Sequence, residues 1–94
     1  MKVENMTSSA GNKIANQFLI KGGQYGDQIG CYFQSYSTMI AFRPASGAPI
    51  VLDRDSWDYS TTTGKYRNLF LRETKAETER KIKDGTYKLV DLNK

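Results

Sequence analysis

Histidine is absent from this sequence, and cysteine occurs once, as Cys31. Without histidine, Ser-His-Asp and Cys-His nucleophile arrangements are excluded, along with the commonest general acid and metal ligand near neutral pH. A lone thiol closes no internal disulfide, and a structural zinc site has no plausible ligand set. Cys31 falls on the apolar side of a predicted strand and reads as a packing residue. No run of about 18 apolar residues occurs, so no membrane-spanning helix is expected. The opening "MKVENMTSSAGNK" lacks the apolar stretch of a secretory signal, and a reducing cytoplasm is the expected compartment. Charge is spread rather than blocked: 14 Lys and Arg against 10 Asp and Glu give a net +4. That permits weak attraction to polyanions but falls short of a dedicated basic arm.

What is present suits one small globular domain over residues 1–94. A chain of this size buries roughly 60–68% of its unfolded surface, enough for one modest core. The apolar fraction is 38% and the aromatic fraction 12%, too rich in rings for a disordered segment.

Residues 1–12 are polar and read as an irregular lead-in. In "KIANQFLIK" the even spacing of Ile14, Phe18 and Ile20 predicts a first strand. "GGQYGDQ", Gly22 to Gln28, reads as a turn or exposed loop, since glycine adopts positive φ at little cost. Ile29, Cys31 and Phe33 alternate with Gly30, Tyr32 and Gln34, predicting a second strand. A tight turn near Tyr36 leads to a third strand from about Thr38 to Arg43. "PASGAP" is a loop, because neither Pro44 nor Pro49 can donate to a ladder. Ile50, Val51 and Leu52 predict a short fourth strand.

Two helices follow. Ser60 is placed to cap the first, with Tyr59, Thr63, Tyr66 and Phe70 on one face. Three threonines and a glycine cost this helix about 2–3 kcal/mol relative to alanine, so packing or a partner must hold it. The second helix announces itself locally. Thr74-Lys75-Ala76-Glu77 is a capping box, Asp84-Gly85 a stop, and Glu77–Lys81 and Glu79–Lys83 are favourable i,i+4 pairs. "TYKLVDL" predicts a last short strand or docked tail. The expected fold is α+β: an antiparallel β-meander of three to four strands, two helices, and a short C-terminal strand or tail.

Several chemistries fail on spacing. The run Asp53-Arg54-Asp55-Ser56-Trp57-Asp58 places Trp57 and Asp58 where a calcium loop needs oxygen and glycine. Gly64-Lys65 is followed by Tyr66 rather than Ser or Thr, so it is no P-loop, and Gly22, Gly23, Gly26 and Gly30 lack dinucleotide-binding spacing. What remains is a polar-aromatic set: Tyr36, Arg43, Trp57, Tyr59, Lys65, Tyr66 and Arg67. Rings beside Arg and Lys suit base stacking with phosphate pairing, and equally protein–protein hot spots. Read as structure instead, Trp57, Tyr59 and Tyr66 finish the core, and Lys65 and Arg67 are solvated.

Three stretches, "NMTSSAGNKIANQF", "FQSYSTMIAF" and "WDYSTTTGKYRNLFLRETKAETERKIKDGTYKLVDLN", resemble a widespread group of small bacteriophage proteins. That group carries a Ser-Tyr-x-Thr-x-Ile-Ala strand turn and a Ser-x-Thr-Thr helix start. Here these are Ser35, Tyr36, Thr38, Ile40 and Ala41, then Ser60, Thr62 and Thr63. The "KGGQYGDQ" and "RPASGAP" loops fall outside the resemblance. Relatives carry His at or beside the position of Tyr66, so no imidazole role carries over.

The resemblance implies phage origin and an accessory role in the host cytoplasm. The function expected is a non-enzymatic binding protein, without cofactor, that blocks or sequesters a component of bacterial immunity. Its target is a defence protein, such as a CRISPR effector complex, or a nucleotide second messenger. The alternative is a nucleic-acid-binding accessory protein using Arg43, Lys65, Arg67 and stacked tyrosines; a hydrolase acting through Asp53, Asp55 and Asp58 is a third reading. Self-association is left open.

Overall fold

The computed structural model describes residues 1–93. The chain is α+β. Five strands run β1 (Lys2–Thr7), β2 (Lys13–Tyr25), β3 (Gln28–Ser35), β4 (Thr38–Pro44) and β5 (Val51–Asp53). Two helices follow, α1 (Thr61–Leu71) and α2 (Lys75–Lys83), and then β6 (Lys88–Val90). The six strands form one sheet in chain order. Neighbours pair antiparallel except β5 and β6, which are parallel because the helical segment returns the chain to the same end.

Two expectations are corrected by this sheet. The polar lead-in of residues 1–12 contains strand β1, which pairs Lys2 with Lys21 and Asn5 with Phe18. Its polar composition reflects an edge position, where charged side chains discourage pairing with other chains. The meander therefore has five strands rather than three to four, and the expected C-terminal strand, β6, adds a sixth to the sheet. The "GGQYGDQ" stretch is no loop either, since β2 continues through it to Tyr25 and only Gly26 and Asp27 form the turn.

The reason lies in a facing pair of glycines, Gly23 and Gly30. A Cβ on Gly30 would come within 2.1 Å of the Arg43 carbonyl oxygen, and one on Gly23 within 2.7 Å of the Tyr32 ring. Aromatic side chains fill the space above them: Tyr32 and Tyr25 lie 4.7 and 5.7 Å, centroid to centroid, from Phe42. Rings closing over cross-strand glycines compensate for the missing side chains. They also explain how Phe42 is fully buried on the sheet face that carries no helix.

The opposite face holds the main core. Phe33 stacks on Phe70 of α1 at 5.8 Å, with Met6, Ile40, Ala41, Leu52 and Tyr87 around them. The chain after β6 is tied back to the sheet. The Leu92 N–H donates to the buried Asp53 carboxylate, and the Asn93 amide exchanges two hydrogen bonds with the Met39 backbone.

The turn at Tyr36 and the strand from Thr38 agree with expectation; Tyr36 itself has φ 56°. Ser60 caps α1 through the Thr63 N–H, and Thr74 and Glu77 form the capping box of α2. The charge pairing of α2 differs from its i,i+4 pattern. Glu77 is committed to the cap, and Lys81 reaches Glu73 at 2.7 Å. The Glu73 carboxylate accepts from three donors together, Lys81, Thr78 and the Tyr87 hydroxyl, and this buried network outcompetes a solvated helix neighbour for Lys81.

Candidate functional site

The first turn of α1 is held by hydroxyls. Thr63 is buried; its hydroxyl lies 3.1 Å from that of Ser35 on β3 and accepts from Ser60 at 3.0 Å. This chain of three small side chains links the helix start to the sheet, and it offsets the poor intrinsic propensity of the Thr-Thr-Thr-Gly sequence. One turn further on, Arg67 is only 1% exposed. Its Nη1 donates to the Trp57 carbonyl at 2.6 Å and to Asp58 at 3.1 Å, and its Nη2 to Asn68 at 3.0 Å. Its guanidinium lies 5.1 Å from the Trp57 ring centroid. Nε has no partner.

The expectation that Arg67 is solvated is thus overturned. Its fork satisfies a carbonyl, a carboxylate and an amide together, which lysine's point charge does not do. Such convergence arises from tertiary structure and leaves no mark in helical periodicity.

Beside Arg67 opens a cleft of about 660 Å³, lined by Asp58, Ser60, Thr61, Gly64, Lys65, Arg67, Asn68 and Lys75. Three of these residues are cationic and one is anionic. Asp58 bridges two cations, one oxygen facing Arg67 and the other 2.7 Å from Lys75. Burial resists its ionisation, but hydrogen bonds from Lys75 and Arg67 prevail and lower its pKa. Lys75 is held charged by the same contact, its pKa raised by the hydrogen bond to Asp58. Lys65 lies 5.4 Å from the Tyr66 ring centroid and is exposed.

Ser60 and Thr61 place the positive end of the α1 dipole at the same opening. A methyl on Gly64 would meet only ordinary contacts, 3.6 Å from Arg67 Nη2. A helical glycine costs about 1 kcal/mol relative to alanine. No clash requires it here, so its fitting role is an open cleft wall.

The seven residues singled out from sequence are not gathered in one place. Lys65 and Arg67 share the cleft, Trp57 is half-buried beneath Arg67, and Tyr66 packs against the core. Tyr59 is 57% exposed, directly between the cleft residues Asp58 and Ser60, rather than buried with Thr63 and Phe70. Tyr36 is exposed at the far β3–β4 turn, its N–H bonded to the Asn16 carbonyl. Arg43 lies on the sheet at the other end of α1, where it donates to the Phe70 carbonyl and covers the Phe70 ring at 4.2 Å.

Sequence reasoning missed Lys75 and Asn68, and it grouped Asp58 with Asp53 and Asp55 rather than with the cations. Lys75 read as part of a capping box, and nothing local placed the start of α2 beside α1. The three aspartates of the hydrolase reading do not converge. Asp53 and Asp55 line a separate cleft with Asp91, and Asp58 faces the basic one. Among the described residues no cluster of His, Cys, Asp and Glu is suited to a metal ion, and no helix is long and apolar enough to cross a membrane.

No curated protein and no solved structure matches the chain. A sequence model of one family does match, over residues 1–85, a span that includes the whole basic cleft. The chain belongs to that family, the family of unknown function DUF8033.

Proposed function

We propose that this chain is a non-enzymatic binding protein that captures a small nucleotide-type anion in the cleft at the start of α1. In this reading a bacteriophage uses it, within the host cytoplasm, to sequester a nucleotide signal of bacterial immunity. The observation that carries it is the excess of positive charge in one cleft: Lys65, Lys75 and the buried Arg67 against Asp58 alone, at a helix N-terminus. Phosphate oxygens would take donors from Lys65, Lys75 and the first turn of α1. The exposed Tyr59 ring, flanked by two cleft residues, offers a face on which a base stacks. Arg67 acts from behind, adding positive potential from a low-dielectric site.

Isothermal titration with mono-, di- and cyclic oligonucleotides tests the proposal. A phosphate-bearing ligand should bind, and Lys65→Ala or Lys75→Ala should each weaken it about tenfold, the loss of one charge-assisted hydrogen bond. No heat with any nucleotide, together with unchanged phage plating on immune hosts, would sink it. Gel retardation of long single-stranded DNA at low salt without nucleotide binding would move the assignment to nucleic acid.

A further inference from the structure

The sheet is only partly covered by its helices. Beyond the C-terminal end of α1, the face carrying Phe33 continues across β1 and β2 as a second depression of about 400 Å³. Its floor is apolar, formed by Met6, Leu19, Cys31 and Phe70. Its flank is Leu69, which at 54% exposed is among the most exposed large apolar residues of the chain.

The cations around it are Lys21, Arg43 and Arg72. Lys21 is paired with Glu4 at 2.5 Å, and Arg43 is held over Phe70. Arg72 is exposed at the C-cap in the left-handed conformation, φ 58°, so its side chain leaves the helix direction. A shallower trough of about 340 Å³ shares Lys21, Cys31 and Arg43 and lengthens the depression toward the exposed Ile29.

From this combination we infer a second ligand site, for a small anionic amphiphile: an apolar tail lying over Leu19, Cys31 and Leu69, and a carboxylate or phosphate head facing Arg72 and Arg43. A mostly apolar cavity of a few hundred Å³ with a small number of fixed polar groups is the usual build of a small-molecule site. Here the polar groups are cations, with Lys21 and Arg43 on the strands either side of Cys31 and Arg72 at the end of α1, so the sign of the head group is assigned by charge. Covering Leu69 and Leu19 supplies the hydrophobic gain, and the cations set the sign of the ligand.

Cys31 makes the site observable. The only thiol of the chain sits on its floor, its pKa raised by burial and partly drawn back by Arg43 and Lys21. The test is the rate at which iodoacetamide alkylates Cys31 in the folded protein, followed by intact mass, with octanoate, octyl phosphate or octylamine present. Octanoate or octyl phosphate should slow alkylation about tenfold at ten times its dissociation constant. The stronger of the two identifies the head group.

Octylamine should give no protection, and Leu69→Asp, an exposed position that folding tolerates, should weaken the anion at least about tenfold. Lys75→Ala, in the other cleft, should leave protection unchanged, which separates this site from the nucleotide one. Equal protection by octylamine, undiminished protection in Leu69→Asp, or no protection by either anion would overturn the assignment.

Discussion

The two helices are neighbours in sequence and opposites in construction. α2 carries its own instructions: a reciprocal capping box at Thr74 and Glu77, and basic residues in its last turn. Its single buried residue is Thr78. α1 has no acidic residue in its first turn and no basic one in its last, yet it buries Thr63, Gly64, Arg67 and Phe70. One helix is specified by short-range rules, and the other by what the sheet and the Trp57 segment provide for it. The proposed ligand sites lie at the two ends of the second kind. A helix positioned by tertiary contacts brings groups from other elements to its ends, Asp58 and Lys75 at the start of α1 and Arg43 at its close.

That contrast can be broken most directly at Arg67. Arg67→Ala removes every contact of a buried guanidinium and should cost about 3 kcal/mol in urea-induced unfolding, with Arg67→Lys a poor rescue. A loss below about 1 kcal/mol would show that α1 does not depend on it.

A matched pair of threonine changes then sharpens the comparison. Thr63→Val keeps the shape but strands the Ser35 hydroxyl, and should cost about 1–3 kcal/mol. Thr74→Ala removes only a cap and should cost about 1 kcal/mol. The reverse order would place the dependence on tertiary contacts in α2.

The smallest effect is the acid response. Asp58 beside α1 and Glu73 beside α2 both have lowered pKa values: burial opposes ionisation in each, but donors prevail, Lys75 and Arg67 for Asp58, and Lys81, Thr78 and Tyr87 for Glu73. A depressed folded-state pKa contributes stability above the unfolded pKa, and that contribution disappears as pH falls through the folded value. The melting temperature should therefore fall below about pH 4, less steeply in Asp58→Asn and in Glu73→Gln than in the parent. An acid limb unchanged in both variants would count against these carboxylates.

How much of this was legible follows the same division. Rules acting within a few residues were readable: the Ser60 cap, the Thr74–Glu77 box, the stop at Asp84 and the turn at Tyr36. The α+β order was readable too, because Ile29, Cys31 and Phe33 alternate along β3 and the helical segments follow the strands. Features that depend on distant partners were not. Polar β1 looks like a lead-in until β2 is beside it. Gly23 looks like a turn residue until Gly30 and the ring of Tyr32 are opposite.

The site divides in the same way. Lys65 was legible as a basic residue near a helix start. Asp58 and Asn68 join it through the fork of the buried Arg67, and Lys75 only once the start of α2 lies beside Asp58. Conversely, the Ser35 and Thr63 that marked a family resemblance serve as a buried hydroxyl contact between sheet and helix.

The parallel pairing of β6 with β5 bears on how the chain is made. The ribosome releases β1 to β5 first, as a nearly local meander in which each strand meets the previous one. β5, however, has its second neighbour only after both helices have emerged, and the buried carboxylate of Asp53 waits still longer for the Leu92 N–H. Until then the nascent sheet carries an open edge and an unpaired buried acid. Residues 88–92 thus act as a latch on β5, closing its open side and satisfying Asp53 only after both helices are in place.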